Sequence, residues 1–365
     1  MMFTPPSKPG TPVAADAVPD PSRRTFLARL STLFATAGFG LIPQDAAAQW
    51  DEPPPLDRPG WYDRPREYDR PRGYDHPSWQ NRQNWPERPY HAPQPQSRIS
   101  NDLSLTIQRY LASQRRVGMV AANERTAWLV YDFTSGRFLA TINAGVSYQS
   151  ASMIKPFIAL AFFYKVQEGS LHYTSFHRQR MEAMIQRSDN KATNYFIELL
   201  NRTSRRSGPA ETEHTLKRRN PGIFRHTRIV ERIPRGGRSY RNRASALDYH
   251  RFLQALWYDQ LPYSGELKRL MQLPNRDRVY TGAAGVARQT WVFDKTGTTA
   301  RLCGDMGILV AQGRDGRRYP YTFIGIIEKA RPASNYMAWK NTRGNVIREV
   351  SSIVYNHMRQ MHDLV

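Results

Sequence analysis

The chain has 365 residues, 40% of them hydrophobic, and a formal net charge of +22. That length holds one large domain or two modest ones, and the single cysteine, Cys303, excludes an internal disulfide and a cysteine-based metal site. Residues 1–98 hold 12 Lys/Arg and 11 Asp/Glu, so the positive excess, 41 against 20, lies in residues 99–365, a surface that attracts anions. No zinc-ligand spacing, RNP-like run or recognition-helix pattern accompanies the charge, so specific nucleic-acid binding is not read from it.

Ser22-Arg23-Arg24-Thr25-Phe26-Leu27 precedes a mildly apolar run from Leu30 to Ile42 and then Ala46-Ala47-Ala48. The pattern is that of a twin-arginine signal peptide over residues 1–48, with a basic frayed tail as the plainer alternative. The run is too short and too rich in Gly, Ser and Thr to span a membrane, so the mature chain is expected to begin near Gln49, in the periplasm or outside the cell. Residues 50–98 carry a six-residue period: Asp57-Arg58-Pro59, Asp63-Arg64-Pro65, Asp69-Arg70-Pro71 and Asp75-His76-Pro77. Recurrent proline and balanced charge bury no core, so 49–98 is expected to be a disordered tether. Its aromatics, among them Trp61, Tyr68 and Trp85, leave open a plain spacer or an arm that touches a polymer or partner protein.

Globular patterning starts near Ser100. Leu103, Ile107 and Leu111 predict a helix, and Thr126–Phe133, a Thr134-Ser135-Gly136 turn and Arg137–Ile142 predict a β-hairpin. Next comes Ser152-Met153-Ile154-Lys155, leading into a run that is apolar all round, Phe157 to Phe163. Positions i and i+3 share a helix face, so the Lys155 amine can reach the Ser152 hydroxyl, and apolar surroundings disfavour its charged form. Taken alone, this is equally a helix cap and a solvated charge. A helix is expected around Met181–Gln186, a break and recap at Ser188-Asp189-Asn190, and helical spacing again from Asn194 to Leu200. Residues 201–243 read as irregular and basic, and 244–258 as a helix. Trp291–Thr299 reads as a strand edge carrying Lys295-Thr296-Gly297, Met306–Val310 with Tyr319–Ile327 as a hairpin, and Val346–Leu364 as a closing helix. Strands at both ends with helices between predict one antiparallel sheet built from both chain ends and packed with helices.

Ser152-x-x-Lys155, Ser188-Asp189-Asn190 and Lys295-Thr296-Gly297, in this order and context, resemble the signature of class A β-lactamases and penicillin-binding proteins, over residues 99–365. The resemblance implies an α/β (α+β) fold of the β-lactamase/transpeptidase type with a helical subdomain. It also implies a serine hydrolase, needing no metal or cofactor, that is acylated by β-lactams or by D-Ala-D-Ala-like peptidoglycan stem peptides. By the same resemblance Ser152 is the nucleophile, Lys155 its base, Ser188 the proton relay to the leaving nitrogen, and Lys295 the positive charge beside Ser188 and the substrate carboxylate. Asn190 would hold the substrate's side-chain amide, Thr296 its carboxylate, and Gly297 would leave room along the strand edge. Asp189 would brace its loop, and the N–H groups of Ser152 and Thr298 would form the oxyanion hole.

The departures matter as much. Class A β-lactamases carry a Glu-x-x-Leu-Asn motif whose glutamate activates the deacylating water, and the corresponding loop here, Phe224 to Pro234, lacks it. The glutamate's place falls near His226; His226 or Glu231 is the candidate substitute base, each with a plain surface role as the alternative. Slow deacylation, as in a penicillin-binding D,D-peptidase, is therefore expected. A β-lactamase with a relocated base and a non-catalytic binder of an anionic wall polymer on the same fold are the alternatives. The stretch from Ser152 to Ser188 is short for the family, which opens one wall of the cleft. Where a basic carboxylate-binding residue is expected, the chain has Asp305, with Arg301 as the substitute.

Overall fold

Residues 127–131 are apolar at both parities, and such a strand has to be covered on both faces. The computed structural model describes residues 101–234 and 240–365; the signal-peptide and tether expectations lie outside the described residues. The chain runs through α1 (Asn101–Arg116), β1 (Arg125–Asp132), β2 (Arg137–Ile142), β3 (Ser147–Gln149), a 3₁₀ turn (Ala151–Ile154), α2 (Lys155–Gln167), α3 (Ser175–Ile185) and α4 (Asn190–Asn201). It continues through α5 (Gly208–Arg219), β4 (Arg243–Ser245), α6 (Ala246–Trp257), α7 (Ser264–Gln272), β5 (Trp291–Thr298), β6 (Leu302–Gln312), β7 (Arg318–Glu328) and α8 (Tyr336–His362).

Five strands form one sheet in the order β2-β1-β7-β6-β5, and every pair is antiparallel. The first strand pairs with the last, so the sheet is built from both chain ends. Trp128 and Val130 of β1 face a core shared with Ile107 of α1 and Val350 of α8, whereas Ala127, Leu129 and Tyr131 face a second core with α2, α4 and α6. The β1–β2 turn closes because the Asp132 carboxylate accepts from the Thr134 and Ser135 N–H groups at 2.9 and 3.2 Å. β5 lies at the sheet edge, and at Gly297 one of its faces packs on Ala151 and Met153 of the 3₁₀ turn. No helix of the described residues is long and apolar enough to cross a membrane.

The described residues of 201–234 carry more regular structure than their composition predicts: α5 buries Glu211, Thr212, Thr215 and Leu216, a mostly polar face that shows no apolar period. The short β3 and β4 pair with each other, and α7 was not expected from the sequence. α8 begins ten residues before the predicted Val346, capped by the Asn335 side chain on the Ala338 N–H at 3.0 Å.

α8 is tied to the start of β1 by a buried ion pair. The Glu124 carboxylate accepts from Arg343 Nε and Nη2 at 3.0 Å, from Trp339 Nε1 at 2.6 Å and from the Ala121 N–H at 2.9 Å. Arg343→Leu strands that carboxylate and is expected to lower stability by about 3–5 kcal/mol in urea denaturation at neutral pH. A loss below about 1 kcal/mol would show that the pair is replaceable by packing.

Candidate active site

A helix that is apolar around its whole circumference must be enclosed. Phe157, Ile158, Leu160, Phe162 and Phe163 are all fully buried, and α2 takes its first residue, Lys155, to 0% exposure with it. Ser152 lies in the preceding 3₁₀ turn, not in the α-helix. With three residues per turn, Ser152 and Lys155 stack on one side, and the Lys155 N–H donates to the Ser152 carbonyl. Ala151 enters the turn at φ 46°, a left-handed conformation that costs a non-glycine residue about 1–3 kcal/mol. Packing holds it there. A Cβ on Gly297 of β5 would lie 2.9 Å from Met153 Cγ and 3.1 Å from Ala151 Cβ. The space that the missing Gly297 side chain leaves is filled by the Ser152 turn.

A buried ammonium needs acceptors. Ser188 adopts φ 61°, which turns its carbonyl to Lys155 Nζ; Ser188 Oγ accepts from the same amine at 3.0 Å and Asn190 Oδ1 at 2.9 Å. Asp189 caps α4 by accepting from the Ala192 N–H at 2.6 Å. The triplet is thus both a helix cap and the partner set of the lysine. Two readings that compete in the sequence are complementary in space.

Lys295 is buried on β5 and its Nζ donates to Thr296 Oγ1 at 3.4 Å. Behind it sit three buried carboxyls, Asp277, Asp294 and Asp305. Asp277 is well satisfied, accepting from the N–H groups of Val279, Tyr280 and Thr281 at 3.1, 2.6 and 2.8 Å. Burial, and then its two acidic neighbours, raise Asp294 well above the usual carboxylate range, and burial followed by Asp277 pushes Asp305 up to about 7. Asp305 therefore faces inward, taking the Arg278 N–H at 2.7 Å. Arg301, the substitute expected from sequence, donates from Nε to the Lys329 carbonyl at 3.3 Å. The cation at this end of β5 is Arg278, whose guanidinium donates to Thr298 Oγ1 at 2.7 Å and to the Gly304 carbonyl at 3.0 Å. Nothing in the sequence near Lys295 points to it. Among the described residues no group of three or more His, Cys, Asp or Glu side chains is placed to hold a metal ion.

Loop 224–234 carries the two candidate bases, His226 and Glu231. His226 is drawn to the start of α6, its N–H donating to Asp248 Oδ2 at 2.8 Å and its Nδ1 lying 3.3 Å from Asp248 Oδ1. Glu231 accepts from the Arg241 N–H and Nε at 2.6 and 2.7 Å. Neither contact belongs to the Lys155 cluster. The loop residue fixed against α4 is Ile233: Asn194, one turn beyond Asn190, donates to its carbonyl at 2.9 Å and accepts from its N–H at 2.8 Å. The place next to the Ser188 triplet is thus held by an apolar residue, seven positions from His226. Asn194, on the same helix face as Asn190, was the available signal.

The fold is that of the β-lactamase-like proteins, and Ser152, Lys155, Ser188 and Asn190 lie together where the 3₁₀ turn and α2 meet the start of α4. The model of the Beta-lactamase enzyme family matches residues 110–175 and 177–358, and the chain belongs to that family. Among curated proteins none matches the chain significantly. Of solved structures, a variant of PBP-A in its acyl-enzyme complex with penicillin G superposes with a TM-score of 0.57 at 21% identity, covering 71% of this chain and 97% of PBP-A. An ancestral class A β-lactamase of Gram-negative bacteria gives 0.55 at 20% identity over 70% of this chain and 99% of its own. A β-lactamase from Desulfarculus baarsii gives 0.55 at 18% over 70% and 98%. At these identities the likeness establishes the fold.

The carboxyl cluster makes stability depend on pH. Because the folded-state pKa of Asp305, about 7, lies above its unfolded value near 3.8, the folded protein retains a proton that the unfolded chain releases. This contribution is complete below about pH 4 and is lost as pH rises through 7. Asp305→Asn is expected to flatten that decline in urea denaturation across the range; an unchanged slope would assign the titration elsewhere.

Proposed function

We propose that this protein is a penicillin-binding serine hydrolase of the D,D-peptidase type. It forms an acyl-enzyme at Ser152 with β-lactams or D-Ala-D-Ala-like peptidoglycan peptides and releases the β-lactam adduct slowly. The observation that carries the reading is the seat of Lys155, fully buried and hydrogen-bonded to Ser188 Oγ at 3.0 Å and Asn190 Oδ1 at 2.9 Å.

In the reaction, Lys155 in its neutral form takes the Ser152 proton as Oγ bonds to the carbonyl carbon. The proton passes through Ser188 Oγ to the leaving nitrogen as the C–N bond breaks, so Lys155 and Ser188 end as they began and Ser152 is left as the ester. The N–H groups of Ser152 and Thr298 stabilise the oxyanion. Lys295, Thr296 and Arg278 supply charge and hydroxyls for the substrate carboxylate, and Asn190 serves the side-chain amide. Water attack on the acyl ester needs a base, and Ile233 offers none. His226 and Glu231 are engaged by Asp248 and Arg241, which weighs against a relocated base. The penicillin G acyl-enzyme of a PBP-A variant, on a similar fold, agrees with this chemistry. The reading includes export by the twin-arginine-like segment to the periplasm, where the cell-wall substrate lies, and a basic surface that favours anionic wall polymer.

Intact-protein mass followed after addition of a penicillin tests this. Wild type is expected to gain one persistent penicilloyl adduct and Ser152→Ala none; no adduct on wild type, or an undiminished one on the variant, would sink the proposal. Ile233→Glu puts a carboxylate at the position clamped to α4, and the adduct's lifetime is expected to shorten roughly a hundredfold. An unchanged lifetime would mean that a missing base is not what protects the ester.

A further inference from the structure

We propose that Tyr240 is a positioning residue of the oxyanion hole: by hydrogen-bonding the Ala151 carbonyl it orients and polarises the Ser152 N–H of the same peptide unit. The inference rests on Ser152 being the nucleophile.

Tyr240 Oη donates to the Ala151 carbonyl at 2.6 Å and lies 3.0 Å from Ser150 Oγ. A trans peptide is planar, with its C=O and N–H pointing in opposite directions, so fixing one fixes the other. This peptide needs such fixing, since it follows Ala151 in a left-handed conformation at φ 46°. A donor on the carbonyl also strengthens the N–H as a donor, because linked hydrogen bonds polarise one another. The stabilisation of a developing oxyanion depends on donors already aimed before charge appears.

The tyrosine is itself held from both sides. Its carbonyl accepts from Gln149 Nε2 at 2.8 Å, and two residues on the Asn242 carbonyl accepts from the Ser150 N–H at 3.0 Å. Burial raises the phenol pKa, so the hydroxyl keeps the proton it donates through the working pH range.

Tyr240→Phe keeps the ring and removes the donor. In the free protein the Ser152 amide proton resonance is expected to move upfield. In the penicilloyl-enzyme the ester carbonyl stretch is expected to rise in frequency. The acylation rate constant is expected to fall roughly tenfold, as for outer-shell partners of reactive groups, with non-covalent affinity unchanged. Replacing Tyr240 by 3-fluorotyrosine, a stronger donor that folds with the same ring, should move both spectroscopic signals the other way. A Ser152 amide indifferent to both substitutions overturns the inference, as does wild-type acylation with an unmoved carbonyl stretch in Tyr240→Phe. If wild type takes up no penicillin, the nucleophile reading falls by itself, and the amide resonance still decides the role of Tyr240.

Discussion

The fold around the site depends on one constraint: α2 carries the Lys155 ammonium into a place with no exposure to water. A buried charge costs several kcal/mol unless it is paired or hydrogen-bonded. The helical layer supplies the acceptors by an unfavourable local choice, Ser188 at φ 61°, which turns a carbonyl and a hydroxyl inward together. Asp189 then starts α4 at once, and Asn190, its first residue, adds the third acceptor. Removing the lysine side chain from this pocket would leave three inward acceptors without their donor, so lysine and loop hold each other in place.

The sheet contributes through absence. Gly297 and Gly304 face each other across β5 and β6, and a Cβ on either would lie within 3 Å of the Met153 side chain. Met153 fills the socket that the two glycines leave, and this seats the Ser152 turn on the strand carrying Lys295. Gln149 reinforces the junction from the other end, taking Glu328 on its N–H at 2.8 Å and Thr299 Oγ1 on its side-chain oxygen at 2.8 Å. The Ser152 turn and the strand carrying Lys295 are therefore joined by packing.

Much of this was legible in the residues. The paired end strands, the enclosed helix after Ser152 and the three triplets were readable because each is a local pattern of period, turn chemistry or spacing. What stayed hidden rests on pairings that spacing does not encode. Arg278 reaches Thr298 from a loop twenty residues upstream. Tyr240 meets Ala151 across 89 positions. α5 was missed because its buried face is made of Glu211, satisfied by Ser204 and Lys165, and of Thr212 and Thr215, which donate to the Gly208 carbonyl and to Glu211; it looks polar in sequence and behaves as core. The Ile233 clamp was missed for a related reason: backbone clamps leave no mark at the position they hold.

Those clamps bear on how the two halves of the chemistry separate. Asn194 grips the backbone of Ile233, and Asn242 accepts from the N–H groups of Val230 and Glu231 at 2.8 and 3.1 Å while donating to the Glu231 carbonyl at 3.0 Å. All of these bonds are to main-chain atoms, so the loop's path is set whatever side chain stands at position 233. Acylation, by contrast, uses groups whose side chains are themselves the structure: Lys155 cannot change without unseating Ser188. In the proposed chemistry, a fold so arranged would fix the formation of an acyl ester and leave its lifetime to one side chain that the scaffold does not otherwise specify.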